Sequence, residues 1–303
     1  MIEEDIITKI FIDCDDFYKI FEEKYRKHLI EDKKDGKTKR NRTTNLTISE
    51  MMAIEIYYQK SGYKCFKYFY EKCEKELKIY FPKLISYKRF VNLKVRILPY
   101  LIAFMHYFRR GENTGIAFID STTIKVCDNK RIYSNKVFQG LAKLGKSSMG
   151  WFYGFKLHLV VNDKGEILGF SFTPGNVSDI NENTILNITK NITGKLFGDR
   201  GYISQKLFKT LYSKGLQLIT RIRKNMKNRL MPLIDKILLR KRAIIETIND
   251  ELKNIYDLEH TRHRSPINAM VNWLGALIAY SYRKNKPSLH IKDEFDQLFI
   301  AAA

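Results

Sequence analysis

Three carboxylates of this chain sit where acid side chains can do chemistry. Asp120 lies in the middle of Ile116–Cys127, a β-branched and aromatic run that reads as a strand buried on both faces. Asp199 ends the short strand Lys195–Asp199 and is followed at once by Arg200, Gly201 and Tyr202, at the strand end where open α/β sheets place their ligands. Glu246 falls in a helix with Arg242, Asn249 and Lys253 at spacings that put all four on one face. Taken singly, each has an ordinary reading: a hydrogen-bonded strand aspartate, a turn cap, an ion-pair ladder on a solvated helix. As a set they suit a hard divalent cation. Magnesium takes oxygen ligands and keeps several waters, and a pair of such ions clamps the attacking and leaving oxygens of phosphoryl transfer about 3.5–4 Å apart. Clustered carboxylates repel one another, so a cation is what would keep all three ionised. No Cys/His cluster at zinc spacing accompanies them.

The elements that must position these acids follow from periodicity and caps. Residues 1–30 carry apolar positions at helical spacing and predict two short helices, with Asp15 and Asp16 placed to cap the second. Lys33–Arg42 is a basic linker without an apolar residue. Thr47-Ile48-Ser49-Glu50 has the form of a capping box and opens a helix that Gly62 ends. A helix over Phe66–Ile79 stops before Pro82, and Ser86 can cap another over Tyr87–Leu98. Short helices in tandem with a basic last member resemble a helix-turn-helix module, and Lys88 and Arg89 are its candidate DNA contacts. The polar segment Arg109–Gly115 marks a boundary, giving a helical domain over 1–110, a second domain over 111–290 and a tail over 291–303. Beyond the boundary come the strand of Asp120, then Phe152–Val161 and Glu166–Thr173 as a hairpin around Asn162–Gly165. A helix over Asp179–Ile192, the strand of Asp199, a helix over Ser204–Ser213, a strand over Leu216–Arg223, a long helix from Leu233 to about Asp257 and a closing helix over Pro266–Tyr280 complete the chain. This order predicts an α/β fold, a mixed sheet flanked by helices, in the order of a ribonuclease H-like domain.

Composition points to the partner. With 54 Lys and Arg against 33 Asp and Glu, the 303 residues carry a formal charge of +21, which calls for a polyanion. Nucleic acid fits better than an anionic membrane, because the basic residues are spread through the chain and not gathered on one amphipathic helix. Arg221–Arg242 alone holds nine Lys or Arg against one acid, Asp235, so Arg221, Arg223 and Lys224 join Arg200 as candidate DNA contacts. The longest apolar run, Ile97–Met105, is too short to span a bilayer, and the acidic start of the chain is unlike a signal peptide. Four cysteines without a paired spacing read as reduced core thiols and predict a cytoplasmic protein. His158, on a strand, reads as packed or hydrogen-bonded.

Ile119-Asp120-Ser121, Gly198-Asp199-Arg200-Gly201-Tyr202, and Arg242, Glu246 and Lys253 together resemble the three acidic motifs of the DDE transposases of bacterial insertion sequences, most closely the insertion-sequence 982 group. The resemblance covers roughly Gly115–Lys284, and Gly154–His158 and Thr173–Asp179 are also similar to segments of such proteins. Leu239 is a departure, since related families carry Tyr three residues before the Arg. The resemblance implies that Asp120, Asp199 and Glu246 hold two Mg²⁺ ions, with Mn²⁺ as the alternative. It further implies cleavage at transposon ends and attack of the freed 3′-OH on target DNA, with Arg242 and Lys253 on phosphate. Double-stranded DNA, as terminal inverted repeats and target, would be the partner of a homodimer near the bacterial nucleoid, with no membrane. Two other readings stay open here: a DNA-binding relative without chemistry, and a ribonuclease H-like nuclease that cuts without joining.

Overall fold

The computed structural model describes residues 3–31, 44–222, 226, 230–260 and 263–289, without the side chains of 25–31. The basic linker Lys33–Arg42 lies outside them. The chain divides into two compact units: Met1–Arg109 with Asn254–Leu258 and His263–Tyr282, and Arg110–Lys253 with Glu259–Arg262 and Arg283–Ala303.

The first unit is helical. Its first helix, α1 (Glu4–Glu31), is continuous where two were expected. Asp15 does not interrupt it, because its carboxylate is taken up by Lys19 one turn on, at 2.7 Å, and by the Ser49 hydroxyl, at 3.0 Å. α2 (Ile48–Lys60) opens with the expected capping box of Thr47 and Glu50. The helix expected over Phe66–Ile79 is split at Cys73 into α3 (Phe66–Lys72) and α4 (Glu74–Tyr80). Ser86 caps α5 (Tyr87–Leu93) through the Arg89 amide, and a 3-10 turn, Lys94–Ile97, leads into α6 (Leu98–Tyr107). The closing helix, Pro266–Ser281, belongs to this unit by packing, although the linear boundaries assign it to the second. Trp273, Leu274, Leu277 and Ile278 are buried in it, it lies against α2 and α6, and Gln59 donates to the Asn272 side chain at 2.6 Å. An apolar helix of this kind goes wherever it loses most water-exposed surface, whatever its place in the chain. Among the cysteines, Cys14 and Cys73 are buried and all four are free, but Cys65 is exposed and so is no core thiol.

The second unit is built on a six-stranded sheet. β1 (Ile116–Cys127) pairs antiparallel with β3 (Gly150–Asn162) and parallel with β5 (Gly194–Gly198). β4 (Ile167–Pro174) and β2 (Lys143–Ser147) share the far edge of β3, and β6 (Leu216–Thr220) extends the sheet from β5. The path β4-β3-β1-β5-β6, three antiparallel strands then two parallel ones, is the ribonuclease H-like order expected from sequence. β2 is an addition to that order, since Lys143-Leu144-Gly145-Lys146-Ser147 has weak strand propensity and forms only as a partner of β3. The expected helix over Asp179–Ile192 shortens to α7 (Glu182–Ile188), capped by Asn181. With α8 (Gln205–Tyr212) it covers one face of the sheet, burying Ala117, Ile119 and Val160 against Ile185, Ile188, Leu207 and Leu211. The long helix expected from Leu233 is broken at Arg242 into α9 (Leu233–Lys241) and α10 (Ala243–Asn254). α9 packs on β5 and β6, and Lys195 reaches Asp235 at 2.7 Å.

Within the helical unit, one ion pair is buried on both sides: Lys94 Nζ lies 2.7 Å from Glu55 Oε2, with exposures of 7% and 0%. Lys94→Met leaves the Glu55 carboxylate buried and alone, and should destabilise this unit by about 3–5 kcal/mol. Replacing both residues by apolar ones should be close to neutral. Chemical denaturation of the single and double variants checks this, and a single variant as stable as wild type would mean that the pair contributes nothing.

Candidate active site

The register of β1 on β5 sets two of the three acids side by side. Phe118 is level with Phe197, so Asp120 and Asp199, each two residues further on, project to the same face of neighbouring parallel strands. β5 ends at Gly198, and Asp199 turns into a short 3-10 segment, its Oδ1 accepting from the Gly201 amide at 2.8 Å. A Cβ at position 201 would lie 2.9 Å from that oxygen, so the glycine lets the backbone close under the carboxylate. α10 covers this side of β1. Asn249 donates from Nδ2 to Asp120 Oδ2 at 3.1 Å, and Lys253 donates to Thr123 at 3.4 Å. Glu246, in the first turn of α10, keeps a side chain 56% exposed.

Arg242 joins the set. It sits at the break between α9 and α10, where sequence expected the interior of one continuous helix, and it reaches the same side. Its guanidinium lies 3.6 Å from Asp120 Oδ1 and contacts the Glu246 carboxylate. A cavity of about 340 Å³ opens next to it, lined by Asp199 and Glu246 and by Arg200, Arg221, Arg240 and Arg242. Two carboxylates facing four guanidinium groups is a setting for a phosphodiester together with a cation, since the arginines offer planar donors to phosphate oxygens.

The sites expected from sequence are distributed as follows. Asp120, Asp199 and Glu246 lie in one neighbourhood, and their charges act on one another at Asp120. Arg200 and Arg221 line the cavity. Lys253 is engaged by Glu259 at 3.3 Å as well as by Thr123. Lys88 and Arg89 are exposed on α5 of the helical unit. Arg223 and Lys224 lie outside the described residues. His158 is buried, with Nε2 2.8 Å from the Thr173 hydroxyl, and burial pushes its imidazole down to about 4. Arg240 and the hydrogen bond of Asn249 to Asp120 are additions to the set expected from sequence; the shared helical face holds the signal for Asn249, and the basic stripe holds that for Arg240. On the opposite face of β1, Ser121 donates to Asp179 at 2.8 Å, and Asp179 takes Lys156 at 3.0 Å. That network ties β1, β3 and the β4–α7 loop together immediately beside Asp120.

Among the described residues, no group of three His, Cys, Asp or Glu side chains is arranged to hold a metal ion. The chemistry of the donor set fits one nonetheless: three hard oxygen donors, one of them desolvated and short of positive charge. Burial raises the Asp120 carboxyl to about 7; Arg242 opposes that rise, and Asp199 and Glu246 add to it. In this arrangement the cation between Asp120 and Glu246 is the guanidinium of Arg242.

The raised carboxyl has a measurable consequence. The folded chain keeps the Asp120 proton up to about pH 7, whereas the unfolded chain releases it near pH ~3.9. Stability therefore falls as pH rises across that window. In chelator at pH 8, Asp120→Asn should be more stable than wild type by up to about 4 kcal/mol, and near pH 4 the two should coincide. Thermal melts at both pH values test this, and equal stability at pH 8 would show that Arg242 and Asn249 already offset the buried charge.

Comparison with known proteins adds the family. Residues 110–266 match the profile of the transposase DDE domain. Among solved structures, the simian T-cell lymphotropic virus intasome in complex with the PP2A regulatory subunit B56 gamma is similar at 13% identity, over 60% of this chain and 54% of that one, with a TM-score of 0.28. The chain thus spans about half the length of the intasome chain it matches. The Mos1 strand transfer complex is similar at 10% identity, over 82% of both chains, with a TM-score of 0.25. No curated protein sequence matches the chain significantly. The matched profile takes in more than half of the 303 residues and contains Asp120, Asp199 and Glu246, and the chain accordingly belongs to the transposase DDE domain family.

Proposed function

We propose that this protein is a transposase of a bacterial insertion sequence, of the insertion-sequence 982 group, which cuts DNA at the element's ends and joins the freed strand to target DNA. The observation that carries the reading is an arginine-lined cavity with Asp199 and Glu246 in its wall and Asp120 joined to it through Arg242, within a transposase DDE domain. These three side chains would hold the divalent cations, two Mg²⁺ ions with Mn²⁺ as the substitute. Bound there, such ions would activate water, and then a 3′-OH, toward phosphorus and stabilise the leaving oxygen.

The remaining work falls to the chain's own groups. Asn249 and the backbone of β1 aim the Asp120 carboxylate. Gly201 lets the backbone turn beneath Asp199 and fix its direction. Arg200, Arg221 and Arg240 would grip phosphates flanking the scissile bond, each guanidinium offering two parallel donors. Arg242 bridges Asp120 and Glu246 and would offer its remaining donors to a phosphate oxygen. Lys253, held by Thr123 and Glu259, would act as a point charge toward phosphate. The helical unit, with Lys88 and Arg89 exposed on α5, would recognise the terminal inverted repeats. Joining two ends calls for at least a homodimer on DNA.

Purified protein with Mg²⁺ and a DNA fragment carrying its terminal repeats should give both nicked and joined products. Glu246→Gln and Asp199→Asn should each reduce the rate by at least about 100-fold, because loss of a cation ligand costs several kcal/mol of transition-state stabilisation, while DNA binding persists. Cutting without joining would favour a plain nuclease. Binding without cutting by the wild type would favour a relative without chemistry. A Glu246→Gln protein that cuts like wild type would remove Glu246 from the site.

A further inference from the structure

The stretch between β1 and the middle of β3 has a charge and a surface that the cavity does not use. From Asn129 to Asn162 there is no Asp or Glu. Five cations in it, Lys130, Arg131, Lys136, Lys143 and Lys146, are exposed. They belong to one arm at the edge of the sheet: the 3-10 turn Asn129–Ser134, the loop after it, and the β2–β3 hairpin. Asn129 donates to the Trp151 carbonyl at 2.8 Å, and the Tyr153 hydroxyl donates to the Phe138 carbonyl at 3.4 Å, so turn and loop are fastened to the hairpin. Asp128, at the base, is spent as the cap of the turn, accepting from the Lys130 amide at 2.9 Å.

The hairpin's two faces differ. Gly145 and Phe152 lie opposite each other on the inner face, both buried. Lys146 and Trp151 form the matching outer pair, with the ammonium 5.7 Å from the ring and the ring 58% exposed. At the tip Met149 is 91% exposed, and on the turn Tyr133 is 99% exposed. Large exposed apolar groups brought together on one surface and rimmed by polar residues mark an interaction site. Lysines without acids among large exposed apolar groups match a polyanion that also has a stackable, apolar interior, which is duplex DNA.

We propose that this arm is a second DNA-gripping surface, resting on the transposase reading above. Leu159 of β3 is level with Asp120, and Trp151, opposite Lys146, is eight residues away along β3, so at about 3.3 Å per residue the arm meets the duplex roughly 26 Å, or about eight base pairs, from the cut. Lys146, on the outer face with Trp151, contacts one backbone phosphate, and Lys143, exposed on the other face of the edge strand β2, reaches a second, with Met149 projecting from the tip toward the groove between them.

Binding of a mixed-sequence duplex a few helical turns long, followed by fluorescence anisotropy over a salt series, tests the charges. Lys143→Ala with Lys146→Ala should weaken binding and lower the slope of log affinity against log salt by about 2, one for each phosphate that no longer meets a lysine. A photoreactive benzophenone amino acid replacing Met149 tests the tip without removing any charge, and should crosslink to the DNA. An unchanged slope overturns the arm while leaving the cavity's role intact. Crosslinks only to a second protein copy also overturn it, and assign the surface to self-association. Failure of the wild type itself to bind duplex would overturn the transposase reading, and the arm with it.

Discussion

A partly buried carboxylate in the middle of a strand is the constraint on which the second unit depends. Asp120 sits in β1 beside Leu159 of β3, two residues past the last pair with β5, and removing its charge from water is costly unless other groups meet it. Asn249 and Arg242 do so from α10 and from the break before it. Their help is partial, and the carboxyl stays protonated to about pH 7. A protein that only needed a stable strand would place an apolar residue here, as it does at Phe118 and Ile119. The cost is tolerated at the point where β1 outruns β5 and the neighbouring strand delivers Asp199.

Rigidity around that point comes from both sides of the sheet. On one, Ile119 and Ala117 are locked into the core formed with α7 and α8. On the same side Ser121, Asp179 and Lys156 link three segments of chain by hydrogen bonds and an ion pair. On the other, α10 holds Asn249 and Glu246 a turn apart, so that one helix supplies both the support for Asp120 and the third acid. Arg242, with helical backbone dihedrals at the junction of α9 and α10, reaches Asp120 and Glu246 together.

The large positive charge is divided by task. Arginines gather at the cavity, where planar donors suit fixed phosphate geometry, whereas lysines predominate on the hairpin arm, where a long flexible stem suits a loosely tracked backbone. Interleaved apolar side chains at the arm mark it off from a merely solvated basic face.

Much of this was legible in the residues themselves. The capping box at Thr47, the Ser86 cap, the β3–β4 hairpin and the strand order are local or nearly local, because caps, turns and periodicity act over a few residues. The three acids stood out by type and by position at strand ends and on a helix face. Other features depend on partners far away in sequence. The union of Pro266–Ser281 with the first unit, the formation of β2 on β3, and the pairing of Arg242 with two carboxylates are decided by which surfaces exclude water together and which charges find a counter-charge. No pattern within a single segment records those choices. The candidate acids were therefore legible in the sequence, while the guanidinium set between two of them and the exposed β2–β3 hairpin were decided by the tertiary fold.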